Sequence, residues 1–196
     1  MSPLNVLSGS QSSGATKSWV MAGLFAALTA VGAFIRIPIP YVPFTLQFFF
    51  CALSGILLGA RWGFVSQVIY VLMGLSGLPV FTAGGGPSYV FQPTFGYLVG
   101  FCAGAYVTGF LWERWGSKAG TFIWAYLSAL SGLAVIYLMG VPYLWVIMDL
   151  YLGKAKGWGW AVKAGFLVPI GGDLVLCALI AMVALRIRKH NWGFLR

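Results

Sequence analysis

The sequence predicts an all-α integral membrane protein with six transmembrane helices. Of its 196 residues, 60% are hydrophobic and 8% are charged, a balance foreign to soluble domains. Six apolar segments reach spanning length, at about 18–36, 44–60, 62–79, 94–112, 121–141 and 165–185. None shows period-two alternation, and a bilayer admits little besides helices and closed barrels, so all six read as helices. Residues 18–189 then form one membrane domain with no length left for a second. Residues 1–17, rich in Ser and Gly with Lys17 as the one charged side chain, read as a disordered cytoplasmic tail, and 190–196 as a C-terminal cytoplasmic tail.

The formal net charge of +9 raises the question of nucleic acid, and its distribution answers it in the negative. Six spans put both termini on one side. Eight basic residues fall there (Lys17, Arg61, Arg114, Lys118, Arg186, Arg188, Lys189 and Arg196), and four fall opposite (Arg36, Lys154, Lys156 and Lys163). Cytoplasmic loops carry the excess of Lys and Arg, so the termini are expected to be cytoplasmic and the basic residues to meet lipid headgroups.

The first span carries Ala22, Ala26 and Ala30 at four-residue spacing, with Gly23 and Ala27 beside them. Such a small-residue stripe lets a second helix approach closely in lipid, within this protein or as a partner-docking face. The span is too long for the apolar core of a signal peptide and runs into Arg36 without a cleavage-like site, so it is expected to stay as a span. Residues 37–43, IPIPYVP, hold three prolines and form a short outer loop. The loop leads to Thr45 and Gln47, two polar groups at the start of the second span. The second and third spans are joined by a very tight turn near Arg61.

The stretch Phe81–Phe101, FTAGGGPSYVFQPTFGYLVGF, resembles neither a span nor a solvent loop. Gly84, Gly85, Gly86, Pro87 and Pro93 oppose regular helix up to Pro93, while Tyr89, Phe91, Phe95 and Tyr97 supply rings. No Asp, Glu, Lys, Arg or His lies between Trp62 and Trp112. This composition suits a lid or wall over a small, flat, mostly apolar ligand. The tyrosines are the rings whose hydroxyls need partners.

The fifth span is expected to end near Gly140-Val141-Pro142. Residues 143–164, with Trp145, Asp149, Lys154, Lys156, Trp158, Trp160 and Lys163, read as an outer connection containing a short interfacial helix. The last span holds the only acid within any span, Asp173, just after Pro169, Gly171 and Gly172. A carboxylate inside a bilayer costs about 2.5–3.5 kcal/mol on insertion scales, which marks Asp173 as a functional candidate; pairing with a neighbouring helix is the alternative.

Several chemistries are excluded. The three cysteines, Cys51, Cys102 and Cys177, all lie in spans without a C-x-x-C pair and read as small buried residues. No metal site is indicated. The single histidine, His190, is expected in the cytoplasmic tail, far from Asp173, and no pair of buried carboxylates exists for acid–base work, so an enzyme is not expected. There is no P-loop, and hence no ATP hydrolysis by this chain itself.

VPFTLQ at 42–47, YVLMGLSGLPVF at 70–81, GGG…PTFGYLVGF at 84–101 and PIGGDL at 169–174 together resemble the BioY family, the biotin-capturing S-components of energy-coupling-factor (ECF) transporters. The resemblance implies a six-helix S-component bundle in a bacterial-type plasma membrane, with biotin bound in a pocket at its outer face. It also implies a transmembrane coupling protein and two cytoplasmic ATPases as partners, reached through Ala22, Ala26 and Ala30, with ATP used by those partners only. A solitary biotin transporter without dedicated ATPases, with self-association, and an S-component for another small vitamin remain alternatives.

The expected ligand-binding residues are Gln47, Gly84, Gly85, Gly86, Tyr89, Thr94, Tyr97, Asp173 and Lys163. Asp173 would accept the ureido N–H donors, the aromatic rings would wall the thiophane, and the glycines would bring backbone N–H groups close. The family commonly shows Asp-x-x-Lys in the last helix, where this chain has Leu176. Lys163 is therefore the expected carboxylate partner.

Overall fold

The computed structural model describes residues 4–116 and 120–189; the tail 190–196 and Lys118 lie outside them. Among the described residues the chain is mostly helical, with one short two-stranded ribbon and loops between the helices. Helix α1 spans Leu4–Phe34, and its apolar, membrane-length part is Gly14–Phe34. Residues 4–17, expected as a tail from their composition, belong to this helical run. The Ser-rich run holds no proline after residue 3, so nothing in it stops the helix from extending.

Ala22 and Ala26 are fully buried and Ala30 is nearly so. In the isolated chain the stripe packs inside this protein, one of the two readings that its spacing leaves open. Small side chains serve the close approach of α1 to the helix beside it. Val20, Leu24 and Val31 form the outward side of α1.

The prolines of IPIPYVP end helical structure, as expected, and the segment becomes a strap. Strand β1 (Arg36–Ile37) pairs antiparallel with β2 (Phe44–Thr45), Arg36 opposite Thr45 and Ile37 opposite Phe44. Tyr41 at the tip meets Trp160 edge-on, their centroids 4.8 Å apart.

Helix α2 runs from Gln47 to Leu75 but is not straight. Gly59 has φ 83° and ψ 173°, and there the chain folds back. In a straight helix Gln47 and Tyr70 would be roughly 35 Å apart at about 1.5 Å per residue. Instead the Gln47 amide donates to the Tyr70 hydroxyl at 2.6 Å. The arms are so close that a Cβ on Gly63 would lie 2.8 Å from the Gly55 Cα. The turn falls at Gly59 rather than Arg61 because only glycine takes this φ readily, and because a Cβ there would strike the Glu113 carboxylate, which accepts from the Ala60 N–H at 3.1 Å. Among the described residues, five continuous helical stretches are long and apolar enough to cross a membrane, where the sequence predicts six. The second and third expected spans are one helical run folded in two.

A 3₁₀ turn at Pro87–Phe91 leads into helix α3 (Phe95–Leu111), which a π turn extends to Gly116. Helix α4 spans Phe122–Val146 and continues in a π turn to Tyr151. It passes through Pro142, correcting the expected end near Gly140; in a spanning helix, neighbouring helices compensate the missing N–H. Gly96, Gly100 and Gly104 let α3 meet α4 backbone to backbone, and a Cβ on Gly100 would lie 3.0 Å from the Ile136 Cα. Short helix α5 (Gly157–Val162) and a π turn at Lys163–Leu167 precede helix α6 (Ile170–Lys189). Trp158 and Trp160 of the expected interfacial helix lie on α5.

The two ends of the bundle differ. Trp19 on Trp62, Trp115 on Trp124, and Arg188 donating to the Gly116 carbonyl at 3.3 Å mark one end. The strap, the glycine-rich loop, α5 and the start of α6 mark the other, and a cavity opens there.

Candidate ligand pocket

The cavity encloses about 600 Å³ including its open mouth. Leu98, Phe101, Leu133 and Ile136 give it an apolar lining from α3 and α4, and the strap contributes Val42, Pro43 and Phe44. Phe44 also meets the start of α6, where a Cβ on Gly172 would lie 2.6 Å from its ring. Glycine at 172 thus lets the strap and α6 close together beside Asp173.

Polar groups are few and placed. Asp173 lies in the first turn of α6, buried, with its backbone N–H donating to the Pro169 carbonyl at 3.1 Å. Its Oδ2 accepts from the Tyr137 hydroxyl of α4. Tyr137 is held between rings, edge-on to Phe166 at 5.0 Å and to Tyr97 at 6.3 Å. Tyr97 in turn donates to the Gly165 carbonyl at 2.9 Å. Across the cavity, the Tyr89 hydroxyl shares hydrogen bonds with Thr82 at 3.1 Å and Thr94 at 3.3 Å. Thr45 donates to the Gln47 Oε1 at 3.0 Å, and the Gln47 amide continues to Tyr70, whose hydroxyl donates to the Val80 carbonyl at 3.0 Å. This relay ties the strap, both arms of α2 and the loop after it into one frame.

Of the residues singled out in the sequence, Gln47, Tyr89, Thr94, Tyr97 and Asp173 line the cavity. Gly84, Gly85 and Gly86 lie outside this lining. They shape the loop: Gly84 and Phe81 bond to each other's backbone, and the Gly86 N–H donates to the Gly74 carbonyl at 2.7 Å. Gly84 and Gly86 have φ of 112° and 107°, which only glycine takes at low cost. The loop so formed seats buried Phe81 against Tyr70 and Tyr89, with centroids 5.4 and 4.5 Å away. Phe91 stacks on Tyr151 at 5.0 Å, away from the cavity lining. Lys163 is exposed on the π turn before α6 and lies outside the lining as well.

A family model described as "BioY family" matches residues 5–191 of the chain. The chain belongs to the BioY family. Among BioY relatives, a "Probable biotin transporter BioY" of Lysinibacillus sphaericus is 49% identical over 89% of this chain and 88% of the relative. The "Biotin transporter BioY" of Thermotoga maritima is 40% identical over 87% of this chain and 95% of its own length. A crystal structure of the S-component for biotin from an ECF-type ABC transporter superposes with a TM-score of 0.78, covering 92% of this chain and 96% of that one. At 23% identity it establishes the fold, an S-component bundle.

For a BioY chain read from sequence alone, the residues missed are those whose role depends on a neighbour. Tyr137 is the main one. Its signal was a lone tyrosine within the apolar run LAVIYLMG, whose hydroxyl needs a buried partner. Thr82 and Phe44 were missed for the same reason, since their places are set by contacts with Tyr89 and with the start of α6.

Proposed function

We propose that this chain captures biotin at the membrane and passes it inward as the substrate-binding S-component of an ECF transporter. The observation that carries the proposal is the placement of Asp173 and Tyr137 in the wall of a small aromatic cavity, in a chain 49% identical to a probable biotin transporter. The ureido group of biotin offers two N–H donors and a strong acceptor carbonyl. Asp173 is suited to accept the donors, and Gln47, Thr94 and the Tyr89 hydroxyl offer hydrogen bonds around them. Apolar Leu98, Phe101, Leu133 and Ile136 suit the thiophane ring and its alkyl chain.

The cavity end carries Arg36, Lys154, Lys156 and Lys163, and the other end carries the larger set of basic residues. The positive-inside rule then favours cytoplasmic termini and a pocket that opens outward. The chain has no P-loop, so energy for release is assigned to partner ATPases working through a transmembrane coupling protein. Titration of the detergent-purified protein against biotin and a panel of other water-soluble vitamins tests the reading. Saturable binding of biotin alone supports it, and preference for another vitamin in the panel would replace it.

A further inference from the structure

We infer that Arg36 reads the carboxylate of the ligand at the rim of the cavity, an inference that rests on the biotin reading above. Two independent contacts put Arg36 there. Its backbone pairs with Thr45 in the strap, and its guanidinium donates through Nη1 to the Thr82 carbonyl. Thr45 and Thr82 both line the cavity. The guanidinium therefore bridges the two segments of the rim, the strap and the loop after α2.

Arg36 is exposed, and the Thr82 contact uses one of five N–H donors. The remaining donors form a fork whose geometry matches a carboxylate. The lining of the cavity gives this fork its purpose. Among the described residues lining it there is one acid, Asp173, and no basic side chain. Leu176, one turn beyond Asp173 on α6, is buried and apolar; Lys163 and Arg36 both lie outside the lining, but Arg36 contacts two residues of it, Thr45 and Thr82.

A ligand carboxylate placed beside Asp173 would meet like charge and lose its water without compensation. Placed at the rim, it keeps part of its hydration and gains the guanidinium. The arrangement thus sets the ligand's direction: neutral ureido head toward Asp173 and Tyr137, anionic tail toward Arg36. The same contact links the ligand to both the strap and the Thr82 loop, so the carboxylate adds to closure of the rim.

The test compares biotin with biotinamide, which keeps the ring system and tail but lacks the anion. Wild-type protein is expected to prefer biotin, and R36Q, which keeps a neutral donor for the Thr82 carbonyl, is expected to lose that preference by about tenfold or more. R36K keeps the charge without the fork and is expected to retain part of it. Thermal midpoints without ligand are recorded for each protein. Equal weakening of both ligands by R36Q would overturn the inference and make Arg36 a strut of the strap. So would wild-type protein that binds biotin and biotinamide alike. Wild-type protein that ignores both ligands would instead overturn the biotin reading itself.

Discussion

The hydroxyl of Tyr137 donates to the Oδ2 of Asp173, joining α4 to the first turn of α6 at the wall of the cavity. The acid that looks isolated in the sequence thus has a neutral partner in the fold, and its second oxygen, Oδ1, remains for a ligand. Substituting Asp173→Asn keeps the shape and removes a charge-assisted acceptor. Biotin is expected to bind at least about tenfold more weakly, since such a bond is worth about 1.5–3 kcal/mol. Titration of purified protein reads this, and wild-type affinity with a lowered apo midpoint would make Asp173 a structural residue.

Tyr137→Phe separates the two roles of that contact. It leaves the Asp173 carboxyl buried without its donor, and apo stability is expected to fall by about 1–3 kcal/mol. Biotin affinity should also fall, because the carboxyl is no longer oriented. Unfolding in detergent, followed with and without biotin, measures both effects. An unchanged apo midpoint would show that water replaces the hydroxyl at no cost.

Gly59→Ala tests the fold of α2. The substitution forces a side chain into a φ of 83° and drives its Cβ into the Glu113 carboxylate. The backbone strain alone is about 1–3 kcal/mol. The thermal midpoint should drop while biotin affinity in the surviving folded protein stays near wild type, because Gly59 lies at the end of the bundle opposite the cavity. Loss of affinity without loss of stability would contradict the hairpin assignment.

Ala26→Arg places a cation at a fully buried position where α1 packs within the bundle. It is expected to impair folding and insertion, and to abolish biotin binding along with any partner assembly. Gly23→Ala is the contrast: a Cβ there meets nothing within 4 Å, so stability should hold. Size-exclusion profiles and thermal midpoints of the two variants decide. A well-folded, biotin-binding Ala26→Arg protein would return the stripe to an outward docking role.

Lys163→Ala should leave biotin and its methyl ester bound within about twofold of wild type, as expected for an exposed substitution away from the cavity. A selective loss for biotin over the ester would restore Lys163 as the carboxylate partner.

The sequence by itself determined the class of this protein. Apolar segments of spanning length, the asymmetry of basic residues and the motif blocks at 42–47, 70–81, 84–101 and 169–174 are local properties, legible without coordinates. Gln47, Tyr89, Thr94, Tyr97 and Asp173 were legible as candidates because polar or phenolic groups stand out in apolar surroundings. Tertiary structure decided which faces meet. Four-residue spacing shows that Ala22, Ala26 and Ala30 share one side of α1, but whether that side looks inward or outward depends on the hairpin packed against it. The glycines at 84–86 announce an unusual loop, and only the contacts of Phe81 and Gly74 show that they build the frame rather than the lining. Tyr137 and Arg36 gain their places from residues 36 and 46 positions away, Asp173 and Thr82, and no local pattern encodes contacts at that separation.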